Sequence, residues 1–484
     1  MIISKQRRVA ASLLVGALVL ASFGAVQAGL QSSAQENPYP NCRFGMGSVG
    51  GSTSAFATDQ LGIGWHVDWN AHVTPPRPNG IQHLQTIRLR QNKSGSTYLP
   101  GYVMTPTLTM AANGLGPRVQ ANPGAIWVVG NEPDRVDVQD DTHPQIFAQA
   151  YHDAHAFIKG IDPTARVAMP GLVEITPLRL EYLNVVSSTY RSLYTTTLPV
   201  DVWTAHIYIL PEGQGYGARY PVGITPTLQI PAKNYLIKEH DSLTIFAGQV
   251  QAMRAWMHQN GYRDKPLLFT EFGILYPSDI LDEDGQDFDA VRVNTFMNGV
   301  FDYFRSAADP VTGHPADFTR LVQAWAWYSM ADTNLNGTLF DPVTNRLTAI
   351  GENFAAYTRS LGPDLLIPVS AALPVYSPGG PVTATITAHT YNRGNAAFTG
   401  PYTVTFYSDI SHTQVISQVM LSNLASQVTR TVQVSWPAVG PGLRSFYPTI
   451  TVGGTESNAC NNWGQGHLLV AQYQIFLPAI QKLK

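Results

Sequence analysis

Between Phe44 and about Ser360, short apolar runs alternate with longer segments whose apolar residues recur at helical spacing. That is the pattern of repeated βα units around a parallel sheet. The candidate strands are FGMGSV (44–49), GIGWHVDW (62–69), TIRLR (86–90), AIWVVGNE (125–132), RVAMPG (166–171), VDVWTAHIY (200–208), PLLFTEFG (266–273) and VQAWAWYS (322–329). Eight strands are what a closed (β/α)8 TIM barrel requires. Between them, Ile146, Phe147, Ala150, Tyr151, Ala154, Phe157 and Ile158 repeat at helical period. The same holds for Ile245, Phe246, Val250, Met253, Trp256 and Met257, and for Phe296, Met297, Val300, Phe301 and Phe304. Stripes of this kind pack a helix onto a sheet and need no cofactor to explain them. Residues 209–240, rich in Pro, Gly and Tyr and without period, predict a long loop over one mouth of the barrel.

Around Leu361–Asp364 the pattern changes. Alternating runs follow at 383–391, 402–409, 429–436, 445–452 and 467–477, separated by turn residues and almost free of charge. This predicts an antiparallel β-sandwich of about seven strands. The expected organisation is a leader at 29–41, an α/β barrel at 42–360 and an all-β immunoglobulin-like sandwich at 364–484.

Composition narrows the class. Charged residues make up 13% of the chain, against about 25% in an average soluble domain. The net charge of -3 offers no electrostatic basis for holding nucleic acid. At the N-terminus, Lys5, Arg7 and Arg8 precede an apolar stretch, with Val26 and Ala28 at the small-residue positions of a cleavage site. Residues 1–28 therefore read as a secretory signal peptide, giving a secreted or cell-surface protein; a retained membrane anchor is the rival reading. No other run is apolar for long enough to span a membrane. Cys42 and Cys460, the only cysteines, form either one bridge between the ends of the mature chain or two free thiols.

The candidate chemistry lies at two strand ends. In IWVVGNEPD an apolar strand ends at Asn131 and Glu132, and Pro133 stops the ladder; in LLFTEFG another ends at Glu271, and Gly273 opens the turn. Strand ends of different βα units converge at the carboxyl-terminal mouth of a barrel. Two carboxylates across that mouth suit glycosidic-bond cleavage, in which one holds a proton for the leaving oxygen and the other stays ionised.

GNEPD and TEFG resemble the acid/base and nucleophile motifs of the large glycoside hydrolase clan of retaining (β/α)8 barrels, which includes many β-glucanases, mannanases and xylosidases. The resemblance covers about residues 42–358. It implies that Glu132, on the fourth strand, is the general acid/base, that Glu271, on the seventh, is the nucleophile, and that Asn131 contacts the sugar 2-hydroxyl.

Other residues fit the same mouth. His206 and Tyr208 share a strand face, with Tyr208 placed to hydrogen-bond Glu271 and His206 to contact sugar or carboxylate. Arg88 or Arg90 is expected beside the nucleophile, where it would lower that carboxyl's pKa. Trp65 and Trp69 on the second strand and Trp325 and Trp327 on the eighth are candidates for an aromatic sugar floor. Asp68 and Asp134 lie near the expected mouth.

No metal or other cofactor is expected. His152 and His155 share a helical face but lack an evident third ligand. GMGSVGGS at 45–52 lacks the continuation of a nucleotide-binding loop, and no GxSxG elbow occurs. HTYNRGNAAFTGPYTVTFY (389–407) and GTESNACNNW (454–463) resemble adhesion-like immunoglobulin modules of exported bacterial and archaeal proteins. The expected function is a secreted retaining glycoside hydrolase acting on β-glycosidic bonds of a poly- or oligosaccharide. The alternative is a noncatalytic carbohydrate-binding or surface scaffold protein on the same barrel.

Overall fold

The computed structural model describes residues 40–49, 53–213, 216–277 and 279–473. The signal-peptide segment and nearly all of the leader lie outside the described residues.

Eight parallel strands form the barrel: β1 Phe44–Gly47, β2 Trp65–Val67, β3 Gln82–Ser94, β5 Ile126–Val129, β6 Arg166–Met169, β7 Val202–Ile207, β8 Leu267–Phe272 and β9 Ala324–Trp327. They run in the order β2-β1-β9-β8-β7-β6-β5-β3, and pairing of β2 with β3 closes the ring. Residues of seven of the eight strands meet in the interior: Trp65 and Val67 of β2, with Leu84, Val128, Ala168, Val202, Leu268 and Ala326. Their sequence neighbours Trp127, Val167, Trp203, Phe269, Trp325 and Trp327 face outward into the larger core shared with the helices. This is the alternation a strand imposes.

Among the described residues, six α-helices follow in chain order: α1 Leu115–Ala121, α2 Pro144–Ile161, α3 Pro177–Tyr194, α4 Leu243–Gln259, α5 Ala290–Ser306 and α6 Ala349–Arg359. Their starts are encoded locally. Thr176, Ser242, Asp289 and Thr348 each accept a first-turn N–H, and Pro144 and Pro177 occupy positions where a missing N–H costs nothing. The 209–240 region contains only a 3-10 turn, Ile237–Glu239, among its described residues.

The barrel departs from the predicted pattern in its third strand and in three of its helices. β3 runs past Arg90 and folds back as a hairpin with β4, Thr97–Thr105, pairing Arg90 with Val103. Pro100 and Gly101 hide that strand from propensity, because neither favours a ladder. Helices α1, α3 and α6 lie outside the three apolar stripes of the sequence, although Leu178, Tyr182, Leu183, Val186 and Tyr190 bury one face of α3.

The C-terminal strands are β10 Leu365–Ala372, β11 Val375–Tyr376, β12 Val382–Asn392, β13 Phe398–Tyr407, β14 Val415–Leu424, β15 Thr429–Val439, β16 Gly442–Val452 and β17 Gly466–Ala471. They form two sheets, β10-β12-β15 and β11-β17-β16-β13-β14, around a separate core including Leu365, Ile386, Phe398, Val404, Phe406 and Phe446.

The sandwich is docked on the barrel. Cys42 and Cys460 form a disulfide with a Cα–Cα distance of 5.6 Å. Buried Arg393 donates to Asp364 Oδ2 (2.8 Å), Gln60 O (3.1 Å) and Thr358 Oγ1 (3.1 Å), while Asn458 Nδ2 donates to the Gly62 and Ile63 carbonyls. Gly62 has φ 63°, and a Cβ there would lie 1.8 Å from Arg393 Nη2. Gly62 and Ile63 precede β2, so these contacts sit at the amino-terminal end of that strand, opposite the mouth.

Candidate active site

β5 ends at Val129, and the chain turns through Gly130 at φ 100° and Glu132 at φ 44°. Glu132 N donates to Gly171 O (3.0 Å), which fixes a backbone conformation uncommon for a side-chain-bearing residue. The turn buries the Glu132 carboxylate, 2% exposed.

Glu271 arrives by a different device. With Leu268 inside the barrel, simple alternation would put Thr270 inside and Glu271 outside. The register slips instead: Ala205 pairs with Phe269, but His206 pairs with Glu271, so Thr270 is an extra residue in β8. This β-bulge turns Glu271 into the mouth, and bulges commonly re-aim a side chain in this way.

His206 lies between the two carboxylates. Its Nδ1 is 3.0 Å from Glu132 Oε1, and its Nε2 is 3.5 Å from Glu271 Oε1. Gly171 makes room for the ring, since a Cβ there would be 2.2 Å from His206 Cδ2. The Tyr208 hydroxyl donates to Glu271 Oε2 at 3.1 Å. One oxygen of each glutamate and a His206 nitrogen lie within 4.8 Å of one another.

Burial alone would raise the pKa of both glutamates. For Glu132 it is outweighed by the hydrogen bond and charge of His206 and by Arg135 and Arg179, which hold the carboxyl below its usual value. For Glu271 burial wins and pushes the pKa up to about 7; the Glu132 charge adds to the rise, while His206, Tyr208 and Trp69 oppose it. Burial would depress His206, but Glu271 and Glu132 raise it above its ordinary value. The two carboxyls are thus pushed in opposite directions, Glu132 toward the anion and Glu271 toward the acid, and the imidazole between them toward its cation.

Two groups bring three metal-capable side chains together among the described residues: Glu132, His206 and Glu271, and Asp68, His72 and His83. In the first, His206 presents one ring nitrogen to each carboxylate, which is a hydrogen-bonded bridge rather than a set of converging lone pairs. In the second, Asp68 accepts from His72 Nε2 (2.7 Å) and His83 Nε2 (2.8 Å). Those interactions place Asp68 in a separate histidine network.

The remaining expected residues divide. Trp69 reaches the mouth; its ring is 5.7 Å from that of Tyr328, and its indole N–H faces Glu271 without a well-formed hydrogen bond. Asn131 is buried, its N–H donating to Asp140 Oδ2 (2.7 Å) and its Nδ2 to Gln139 Oε1 (3.4 Å). Arg88 is engaged by Asp140 Oδ1 (2.7 Å) and Gln139 Oε1 (2.9 Å), and Arg90 by the Gln139 carbonyl. Neither arginine pairs with Glu271; the cations acting in the site are instead Arg135 and Arg179, on Glu132.

Three tryptophans are not a sugar floor. Trp65 lies inside the barrel toward its amino-terminal end, its Nε1 donating to Arg43 O. Trp325 and Trp327 are wholly buried on the outer face, against Phe44 and Phe304 and against Phe272 and Phe296. The aromatic side chain supplied to the mouth at this point is Tyr328, the residue that follows β9, 6.3 Å ring to ring from Tyr208 and under the charge of Glu271. Its signal was its parity with inward-facing Ala326. Asp134 is fully buried against Arg179 behind Glu132.

Residues 362–462 match the CARDB family model. No curated protein matches the chain. Among solved structures, an endo-beta-1,3-glucanase of the GH128 family from Sorangium cellulosum is 18% identical, covering 65% of this chain and 98% of its own with a TM-score of 0.40. A glucosidase from Croceicoccus marinus is 12% identical over 84% of this chain and 96% of its own, with a TM-score of 0.42. The CARDB domain of a Pyrococcus furiosus protein is 16% identical over 23% of this chain and 91% of its own, with a TM-score of 0.19. The chain is thus a closed eight-stranded parallel barrel followed by a CARDB domain.

Proposed function

We propose that the protein is a secreted retaining glycoside hydrolase that cleaves β-glycosidic bonds in a poly- or oligosaccharide. The observation that carries this is the pair of buried glutamates at the mouth, with oxygens within 4.8 Å. Retaining enzymes hold their carboxyl groups about 5–5.5 Å apart, whereas inverting ones leave about 6.5–9.5 Å for a water. The N-terminal pattern of residues 1–28 and the Cys42–Cys460 bridge support export to an oxidising compartment.

In the first step Glu271, ionised, attacks the anomeric carbon while Glu132 protonates the departing glycosidic oxygen. The Tyr208 hydroxyl bonds the Glu271 oxygen that does not face His206, which favours the anion and leaves the other oxygen for attack. The proton that Glu132 delivers comes from His206 Nδ1 and passes through Glu132 to the leaving oxygen, so Glu132 ends the step as a carboxylate beside a neutral imidazole. In the second step Glu132 takes a proton from water, which attacks the glycosyl-enzyme and releases Glu271. Trp69 and Tyr328 offer aromatic surface to the sugar.

The test is a panel of β-linked polysaccharides with product sizing, together with NMR of the first-formed anomer. Hydrolysis with retained configuration is expected. Release of the inverted anomer would refute the double displacement, and no hydrolysis across the panel would favour a noncatalytic carbohydrate-binding role.

A further inference from the structure

Behind Glu132, Arg179 is fully buried among three equally buried carboxylates. Its Nε is 2.9 Å from Asp134 Oδ2, its Nη1 is 3.6 Å from Glu174 Oε1, and the same Nη1 donates to Glu212. One cation for three carboxylates, all out of contact with water, is a costly arrangement that apolar residues could replace without loss of stability.

Its connections suggest what it accomplishes. Asp134 is two residues from Glu132. Arg179 Nη2 donates to the Ala218 and Arg219 carbonyls, Glu212 Oε2 accepts from Lys233 N, Glu174 Oε2 accepts from Leu210 N, and Asp134 O accepts from Val222 N. The cluster therefore ties the strand end bearing Glu132 to both arms of the long segment after β7.

Resting on the glycosidase reading, we propose that Arg179 and its three carboxylates form a positioning unit for Glu132. The unit locks the backbone around Glu132 to the segment after β7 and couples the ionisation of Glu132 to that docking. Charge supports the geometry. Burial pushes Asp134 up to about 6 and Glu174 well above the carboxylate range, Arg179 pulls against both, and Arg179 also helps to hold Glu132 down. The groups facing Glu132 are His206, Arg135, Arg179, Asp134 and Glu271, with Tyr208 and Tyr328 further across the mouth. Those facing Asp134 are Arg179, Glu132, Glu174, His206 and Tyr182.

The experiment is Asp134→Asn in the full chain, read by carboxyl-13C NMR titration of Glu132, assigned with Glu132→Gln, and by the pH profile of hydrolysis. Above about pH 6, where Asp134 is ionised, losing its charge and freeing Arg179 to favour the Glu132 anion should make His206 give up its proton earlier; that step in the Glu132 carboxyl signal, and the alkaline limb, should both move down by about one pH unit. Glu212→Gln should move both in the same direction by less, and it carries the comparison if Asp134→Asn does not fold. A folded variant with an unmoved Glu132 titration would overturn the proposal. The NMR readout needs no turnover. A wild-type protein that hydrolyses nothing while Asp134→Asn still displaces Glu132 would refute the glycosidase reading and support the coupling.

Discussion

The Tyr208 hydroxyl gives the sharpest test of the nucleophile assignment. Tyr208→Phe deletes one oxygen, the donor 3.1 Å from Glu271 Oε2, at a site where both residues are buried. A hydrogen bond to a charged group contributes about 1.5–3 kcal/mol, and one pKa unit corresponds to about 1.4 kcal/mol. The Glu271 carboxyl, at about 7 in the intact protein, should therefore rise by about 1–2 units. Glu271 must be ionised to attack, so activity rises as pH increases through its pKa, and the acid limb of kcat/KM should move up by the same amount. At neutral pH the variant should be about 5–50-fold slower, because the ionised fraction of Glu271 falls from about one half, and that deficit should be recovered in large part at higher pH. The assay is kcat/KM against pH on a responsive β-glycoside, with thermal melts to show that the fold is kept. A folded variant whose acid limb coincides with that of the wild type would refute both the role of Tyr208 and the assignment of that limb to Glu271.

Glu132→Gln and Glu271→Gln should each lower kcat by about 100-fold or more, measured by initial rates, and the Glu132 variant should lose least on substrates with leaving groups that need no proton. Trp327→Ala should lower stability by about 3–5 kcal/mol in denaturant titration, because Trp327 packs behind the sheet; Tyr328→Ala should instead raise KM with the melt nearly unchanged. Reducing or removing the Cys42–Cys460 bridge should cost about 2–5 kcal/mol, seen as a lower melting temperature, while kcat at ambient temperature stays near that of the wild type because the bridge lies opposite the mouth.

Local pattern carried much of the architecture. The eight apolar runs are the eight barrel strands, and the apolar stripes at 146–158, 245–257 and 296–304 are the faces of α2, α4 and α5. β4 is weakly patterned because Pro100 and Gly101 interrupt it, whereas α3 carries its own signals in the Thr176 cap and a spaced apolar face. Of the site residues, Glu132, Glu271, His206, Tyr208 and Trp69 come together. Arg88 and Arg90 do not pair with Glu271, because Asp140 and Gln139 from the loop after β5 engage them first.

The sequence by itself determined the eight barrel strands, the helices α2, α4 and α5, and which carboxylates end apolar strands, since periodicity and turn residues are local properties of the chain. Only the tertiary structure decided which way those side chains face. Alternation tells that Trp325 and Trp327 share a side but not that the side is outward. It would also turn Glu271 away from the mouth, where the extra residue Thr270 instead delivers it. The charge state of the site is likewise a tertiary property, because it is set by burial and by His206, Arg135 and Arg179, which reach Glu132 from different elements.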